Sequence, residues 1–300
     1  MNQTYKQEER KCAQEKLTRL LCKNGKVRRE MHMLYHAKNG TLNIGNGTMD
    51  YIRFGTGQRV LIILPGLGDG LQTVKGTALP MAFMYRIFAK DFTVYAFSRI
   101  HELPRGYTTR EMGRDLAEAM TQLGIEKADI FGVSMGGMIA QWLAVDFPEK
   151  VNKLILTVTS ARPTPVLTES IEEWVACARK GDHTAFMDSN VQRIYSQAYY
   201  RKNKWLVPIM GKLTKPGSYE RFFVQADACL SHNAFENLRR IQAPTLVIGG
   251  EKDKALGGAS SKELAAAIPG AQLQMYAQWG HGVYEEAEDF NQTVLAFLKG

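Results

Sequence analysis

Residues 129–141 read DIFGVSMGGMIAQ, which sets one hydroxyl, that of Ser134, between Gly132 and Gly136, with Gly137 following. Glycine at these positions removes the Cβ atoms that would collide where a strand closes onto a helix, and it turns the serine sharply outward. A serine hydroxyl is a weak nucleophile until a base takes its proton and a third group holds that base. The G-x-S-x-G spacing therefore asks for a histidine and a carboxylate elsewhere. A plain glycine-rich turn has the same spacing, and context separates the two: the apolar run DIFG reads as a buried strand and MIAQWLA as a helix.

Where this motif does chemistry, the chain order is serine, acid, histidine. Two late strand ends supply the partners: Asp253 follows PTLVIGGEK, and His281 follows AQLQMYAQWG. Both stand at the C-terminal ends of strands, where open α/β sheets bind ligands. Glu251 is the alternative acid. His32 and His36 precede the sheet, His183 and His232 lie in a later helical stretch, and His101 follows the strand at 92–99, a position from which it could line the pocket mouth. All five precede Asp253.

Serine attack on an acyl carbon creates an oxyanion, which needs N–H donors already aimed at it. The backbone N–H of Met135, at the start of the helix, is one expected donor. The second is assigned to the N–H of Leu67 in LPGLGDG (64–70), where small residues again let backbone approach a substrate. That loop also reads as an ordinary glycine turn; phosphate binding would want a following Lys-Ser/Thr, which is absent.

The elements that must position these groups alternate in type. TLNIG and TMDYIRFG flank Asn46-Gly47, a hairpin signal. RVLIILPG is a short apolar run of the kind buried on both faces of a sheet, residues 81–90 are helical in character, and FTVYAFSR is strand-like. Thr108 and Glu111 form a capping box ahead of Met112, Leu116, Met120 and Leu123 on one helical face. After VNKLILTVTSA the alternation stops: residues 162–242 are helical and rich in aromatics, which either line a pocket or form a small core of their own. It resumes with PTLVIGGEKD, the helix SSKELAAAIPG, the strand AQLQMYAQWG and one last helix, VYEEAEDFNQTVLAFLK. The expected fold is α/β: a mostly parallel sheet with helices on both faces and an inserted helical cap. The expected division is a basic helical extension over 1–38, a core of 39–161 and 243–300, and a cap of 162–242.

Composition narrows the partners. The chain has 300 residues, 45% hydrophobic and 23% charged, and a net charge of +8. Residues 1–38 alone hold ten Lys/Arg against four Glu, so the remainder is near neutral and no nucleic-acid groove is expected. In the first segment Ala13, Leu17, Leu20 and Leu21 recur at helical spacing, with Asn24-Gly25 as a stop. It has no secretory leader pattern, and no apolar stretch is long enough for a membrane span. Cys12, Cys22, Cys177 and Cys229 lack metal-site spacing and read as reduced thiols, so a cytoplasmic protein without metal is expected.

Through LPGLGDG, GVSMGG, PTLVIGGEKD and WGHG the chain, over roughly residues 48–300, resembles the α/β-hydrolase fold superfamily. The resemblance implies a sheet of the eight-stranded type and the roles above for Ser134, Asp253, His281 and the N–H groups of Leu67 and Met135, with no cofactor. In many relatives the loop begins His-Gly; here Pro65 precedes Gly66, which keeps the donor and removes a side chain that often braces the loop. Members with aspartate at the elbow, dehalogenases and epoxide hydrolases, are excluded by Ser134. The expectation is a serine hydrolase of esterase type, acting through an acyl-enzyme on a small to medium, mostly apolar substrate. The alternatives are a C–C bond hydrolase or lyase using the same three residues, and a non-catalytic ligand-binding receptor. Residues that bind substrate, the bond's identity and the oligomeric state have no signature here.

Overall fold

The computed structural model describes residues 35–300. The helix expected near residues 13–24, His32, Cys12 and Cys22 lie outside them. Eight strands form one sheet: β1 (Lys38–Ile44), β2 (Gly47–Phe54), β3 (Arg59–Leu64), β4 (Phe92–Ile100), β5 (Ala128–Val133), β6 (Val151–Thr157), β7 (Thr245–Gly250) and β8 (Gln272–Tyr276). Their order is β1-β2-β4-β3-β5-β6-β7-β8. The pairings β1/β2 and β2/β4 are antiparallel and the rest are parallel.

Each central strand divides its side chains between two cores, as the two-residue period of a strand requires. Ile62, Ile130, Leu154 and Leu156 face one core with Met112, Leu116, Met120 and Leu143. Leu61, Ile63, Phe131 and Ile155 face the other, with Phe88, Phe290 and Leu298. The first core is covered by helices α2 (Thr109–Gln122), α3 (Met135–Asp146) and α9 (Ala259–Ala267), and the second by α1 (Ala78–Met84), α10 (Val283–Glu286) and α11 (Phe290–Lys299). Phe131 is fully buried, and truncation to alanine would cost about 3–5 kcal/mol.

Local chemistry explains the element ends. Thr108 Oγ1 accepts from the Glu111 N–H while a Glu111 carboxylate oxygen accepts from the Thr108 N–H at 2.7 Å, closing the expected capping box of α2. Three sequence expectations need correction. The hairpin turn is Gly45-Asn46, one residue earlier than Asn46-Gly47, because Gly45 takes the left-handed conformation (φ +54°) and Ile44 pairs with Gly47. The helix expected over 81–90 ends at Met84 and continues as turns. The last helix is two, α10 and α11: Ala287 is extended, and the preceding Glu286 accepts hydrogen bonds from the Ser196 N–H and hydroxyl at 2.9 and 2.6 Å.

Between β6 and β7 come five helices: α4 (Pro165–Arg179), α5 (His183–Ile194), α6 (Gln197–Asn203), α7 (Val207–Leu213) and α8 (Glu220–Leu230). Their aromatics divide by position. Phe186 and Phe222 are buried edge to face with centroids 5.2 Å apart, whereas Tyr199 and Trp205 are exposed. Among the described residues no helix is long and apolar enough to cross a membrane.

Candidate active site

The chain leaves β3 toward β4 and later returns past β3 to place β5 on its other side, so the loops after β3 and β5 diverge and open a crevice between them. Ser134 occupies the elbow between β5 and α3 with φ +53° and ψ −122°, a conformation that costs a non-glycine residue about 1–3 kcal/mol. The surroundings hold it there. The Ser134 N–H donates to the Thr157 carbonyl at 2.9 Å, and Thr159 Oγ1 donates to the Ser134 carbonyl at 2.7 Å. A Cβ on Gly136 would stand 2.0 Å from the Leu64 carbonyl oxygen, and one on Gly132 would stand 2.6 Å from the Gly136 carbonyl oxygen. Strand and helix can meet at this angle only without those carbons.

Asp253 lies three residues beyond β7, and His281 lies in the loop after β8. His281 Nδ1 is 2.8 Å from Asp253 Oδ2, and both side chains are buried. The other carboxylate oxygen, Oδ1, accepts from the N–H groups of Ala255 and Leu256 at 2.8 and 2.9 Å. A carboxylate fixed by two backbone donors can only accept from the ring, so the proton sits on Nδ1 and Nε2 keeps its lone pair. Glu251, the alternative acid, points elsewhere: it is exposed and pairs with Lys262 at 2.9 Å.

Ser134 and His281 line one cleft of about 530 Å³, together with Gly66, Leu67 and Gly68 of the β3 loop, Met81 and Met84 of α1, and Trp174, Asn190, Ile194 and Tyr195 of the inserted helices. The β3 loop lies directly against the elbow, since a Cβ on Gly66 would be 3.3 Å from the Ser134 Cβ. Among the described residues, neither the Leu67 N–H nor the Met135 N–H has an acceptor in the fold, so both can serve a ligand. The remaining histidines stand apart. His101 bonds Asp50 at 2.8 Å, His183 bonds the Tyr219 hydroxyl, and His232 is buried between Thr109 and Gln141. His101 is not among the residues that line the cleft.

The brace missing with Pro65 is replaced by residues the sequence did not single out. Arg99, buried at the end of β4, donates from Nη2 to the Pro65 carbonyl at 2.6 Å. Asp69 Oδ2 accepts from the Arg99 N–H at 3.2 Å, from Arg221 Nη2 at 2.8 Å and from Gln225 Nε2 at 3.2 Å. Arg221 also donates to the carbonyls of Asp69, Arg99 and Ile100. Burial pushes the Arg99 guanidinium below its ordinary value, and the Asp69 charge opposes that shift. Arg221 and Gln225 belong to α8, so the inserted helices grip the loop that carries Leu67. On the opposite wall, the Gly282 N–H donates to the Ile194 carbonyl at 2.7 Å and ties α5 to the His281 loop. One signal for Arg99 was present, a lone cation closing the apolar run FTVYAFSR; Arg221 and Gln225 had none.

A family model for the alpha/beta hydrolase fold matches residues 59–186, and one described as TAP-like protein matches residues 229–300. The chain is 26% identical over 270 residues to 3-oxoadipate enol-lactonase 2 of Acinetobacter baylyi, covering 89% of this chain and 98% of that protein. It is 27% identical over 242 residues to the poly(3-hydroxyalkanoate) depolymerase of Ectopseudomonas oleovorans, covering 80% and 84%. Among solved structures, the enol-lactonase of Burkholderia xenovorans LB400 superposes with a TM-score of 0.72 at 24% identity, over 87% of this chain and all of that one. MGS-M2, an alpha/beta hydrolase from a deep-sea metagenome library, superposes with a TM-score of 0.75 at 23% identity, over 87% and 98%. Elbow, sheet order and family matches agree: the chain belongs to the α/β-hydrolase fold superfamily.

Proposed function

We propose that this protein is a serine hydrolase that cleaves an ester or related acyl bond of a neutral, mostly apolar small molecule through an acyl-enzyme. The observation that carries the reading is one cleft holding both an outward-turned serine at a strained elbow and a histidine whose far nitrogen is hydrogen-bonded to a fixed carboxylate. In this mechanism Ser134 Oγ attacks the acyl carbon while His281 Nε2 takes its proton, and Asp253 holds the ring and stabilises the imidazolium. The carbonyl oxygen, now an anion, accepts from the N–H groups of Leu67 and Met135, each worth about 3–4 kcal/mol of barrier. The imidazolium returns the proton to the departing alcohol. Water then repeats the sequence on the acyl-enzyme, releasing the acid and restoring Ser134.

The substrate class follows from the walls. Met81, Met84, Trp174 and Ile194 supply apolar surface, Gln72, Thr73 and Asn190 supply uncharged polar groups, and no Lys or Arg is among the described lining residues. A carboxylate on the substrate would lose its hydration there without gaining a cation. The segment 162–242 acts as the cap that shapes this cleft. A fluorophosphonate probe tests the mechanism: wild type is expected to gain one adduct by intact mass, abolished in Ser134→Ala. Absence of labelling, or equal labelling of the variant, would sink the reading. A panel of p-nitrophenyl esters then tests the bond and the acyl length.

A further inference from the structure

Within the insertion, residues 204–213 present an apolar surface to solvent. Trp205 is 65% exposed, Leu213 76%, Ile209 47% and Met210 40%. Trp205, Ile209 and Leu213 recur every four residues, which places them along one side of the helical run, while Val207 and Gly211 are buried on the other. Such large side chains are not normally left clustered in water. Within the segment that carries them the charge has one sign, although Asp182 and Asp188 of the neighbouring helix α5 stand beside it. Residues 194–219 contain five cations, Arg201, Lys202, Lys204, Lys212 and Lys215, and no carboxylate. All five are exposed, and among the described residues none forms an ion pair.

We propose that this face of the insertion docks the protein onto an anionic lipid surface. Apolar side chains ringed by lysines match the two layers such a surface offers, acidic headgroups outside and acyl chains beneath. Tryptophan at the boundary suits the interface itself. Charge excludes the nearer occupants. A second copy would oppose five cations with five, and the chain's own first segment carries ten Lys/Arg against four Glu over residues 1–38. Exposure favours lipid over an acidic protein: Trp205 and Leu213 are 65% and 76% exposed, so most of each side chain is free to enter a soft layer. Six residues before Trp205 an exposed tyrosine, Tyr199, leads toward the cleft. Tyr199 stacks on Tyr195 with centroids 4.3 Å apart, and Tyr195 lines the cleft, so a lipid-dissolved apolar ligand would be delivered at its rim. The proposal does not depend on the catalytic reading.

Co-sedimentation of the full chain with vesicles tests it, comparing pure phosphatidylcholine with vesicles containing about 30% phosphatidylglycerol. Wild type is expected to bind the anionic vesicles at least about a hundredfold more tightly than the neutral ones, less so as salt rises. Each lysine near the surface contributes about fivefold, so the triple variant Lys202→Gln, Lys204→Gln, Lys212→Gln should lose about two orders of magnitude. The double variant Trp205→Ser, Leu213→Ser should lose at least about tenfold through its apolar contribution. Both sets of positions are exposed, and an unchanged thermal midpoint would verify folding. Three results would each overturn the proposal: no binding by wild type, which leaves the face to an acidic protein; equal binding to both vesicle types; or wild-type binding by both variants, which assigns adsorption to residues 1–38.

Discussion

Replacing Arg221 by methionine keeps most of the side chain's length and removes its guanidinium. Four hydrogen bonds go with it: one to the Asp69 carboxylate at 2.8 Å, and three to the carbonyls of Asp69, Arg99 and Ile100. Asp69 is buried and keeps the Arg99 N–H and Gln225 Nε2, each at 3.2 Å, with the Arg99 guanidinium as its remaining charged partner at 3.9 Å. A buried carboxylate that loses a charged partner costs about 3–5 kcal/mol, but the Arg221 side chain is 16% exposed, so water can reach part of the gap; about 3 kcal/mol is expected. For a domain of this size that lowers Tm by roughly 6–12 °C. The loop carrying Leu67 loses the Arg221 part of its hold from α8 and keeps only the Gln225 bond from that helix, while the Met135 donor, set by α3, is untouched. Weakening one of two donors should lower kcat on a good p-nitrophenyl ester by about 10–100-fold with little change in KM. Arg221→Lys, which restores charge without the fork, should fall between the two. A Tm within about 2 °C of wild type would refute the energetic argument. Lost stability with kcat unchanged would show that the network supports the fold and does nothing for the loop.

Three other outcomes follow from the same structure. Asp253→Asn should lower kcat by about 10³–10⁴-fold near neutral pH, because the amide no longer fixes the proton on His281 Nδ1; a loss below tenfold in steady-state assays would count against Asp253 as the orienting acid. His232 is held neutral by burial, its pKa pushed down to about 3 from an ordinary 6.5. With the folded value depressed, its contribution is full above pH 6.5 and is lost as pH falls toward 3, by about 3 kcal/mol at pH 4; His232→Gln should flatten denaturant stability over that window. Burial raises Asp115 the other way, to about 6 from 3.8, so its contribution is full below pH 3.8 and is lost as pH rises through 6. Asp115→Asn should therefore gain stability at pH 7 relative to pH 4, and an unchanged pH profile would rule the assignment out.

What could be read in advance followed from local backbone demands. The elbow was legible because Gly132 answers to Gly136 and Gly137, only a few residues on, and the spacing records it; Gly136 answers instead to Leu64 and Pro65 at the end of the neighbouring strand. The strand-helix alternation was legible because burial on one or two faces imprints a period. The hairpin was found but displaced by one residue, since both Gly45 and Gly47 flank Asn46 and only register decides which turns. The break between α10 and α11 was hidden because Glu286 is engaged by Ser196, ninety residues earlier in the chain. The Arg99, Asp69 and Arg221 network was out of reach for the same reason. Its members lie 30 and 122 residues apart in the chain and share no spacing a sequence can display.

The neighbouring strands β6 and β7 have a consequence for how such a protein can change. They are hydrogen-bonded to each other from Leu154 with Thr245 to Thr157 with Ile248, so the five helices between them leave and re-enter the sheet side by side. Helices could lengthen, shorten or be exchanged there without altering any strand's register or the placement of Ser134, Asp253 and His281. That freedom is incomplete. The last of the five carries Arg221 across to Asp69, so an exchange that remodels the substrate cleft also resets the loop facing Ser134. The shape of the cleft and the set of that loop are therefore inherited together, and grafted insertions should succeed in proportion to how well they restore a donor at that one position.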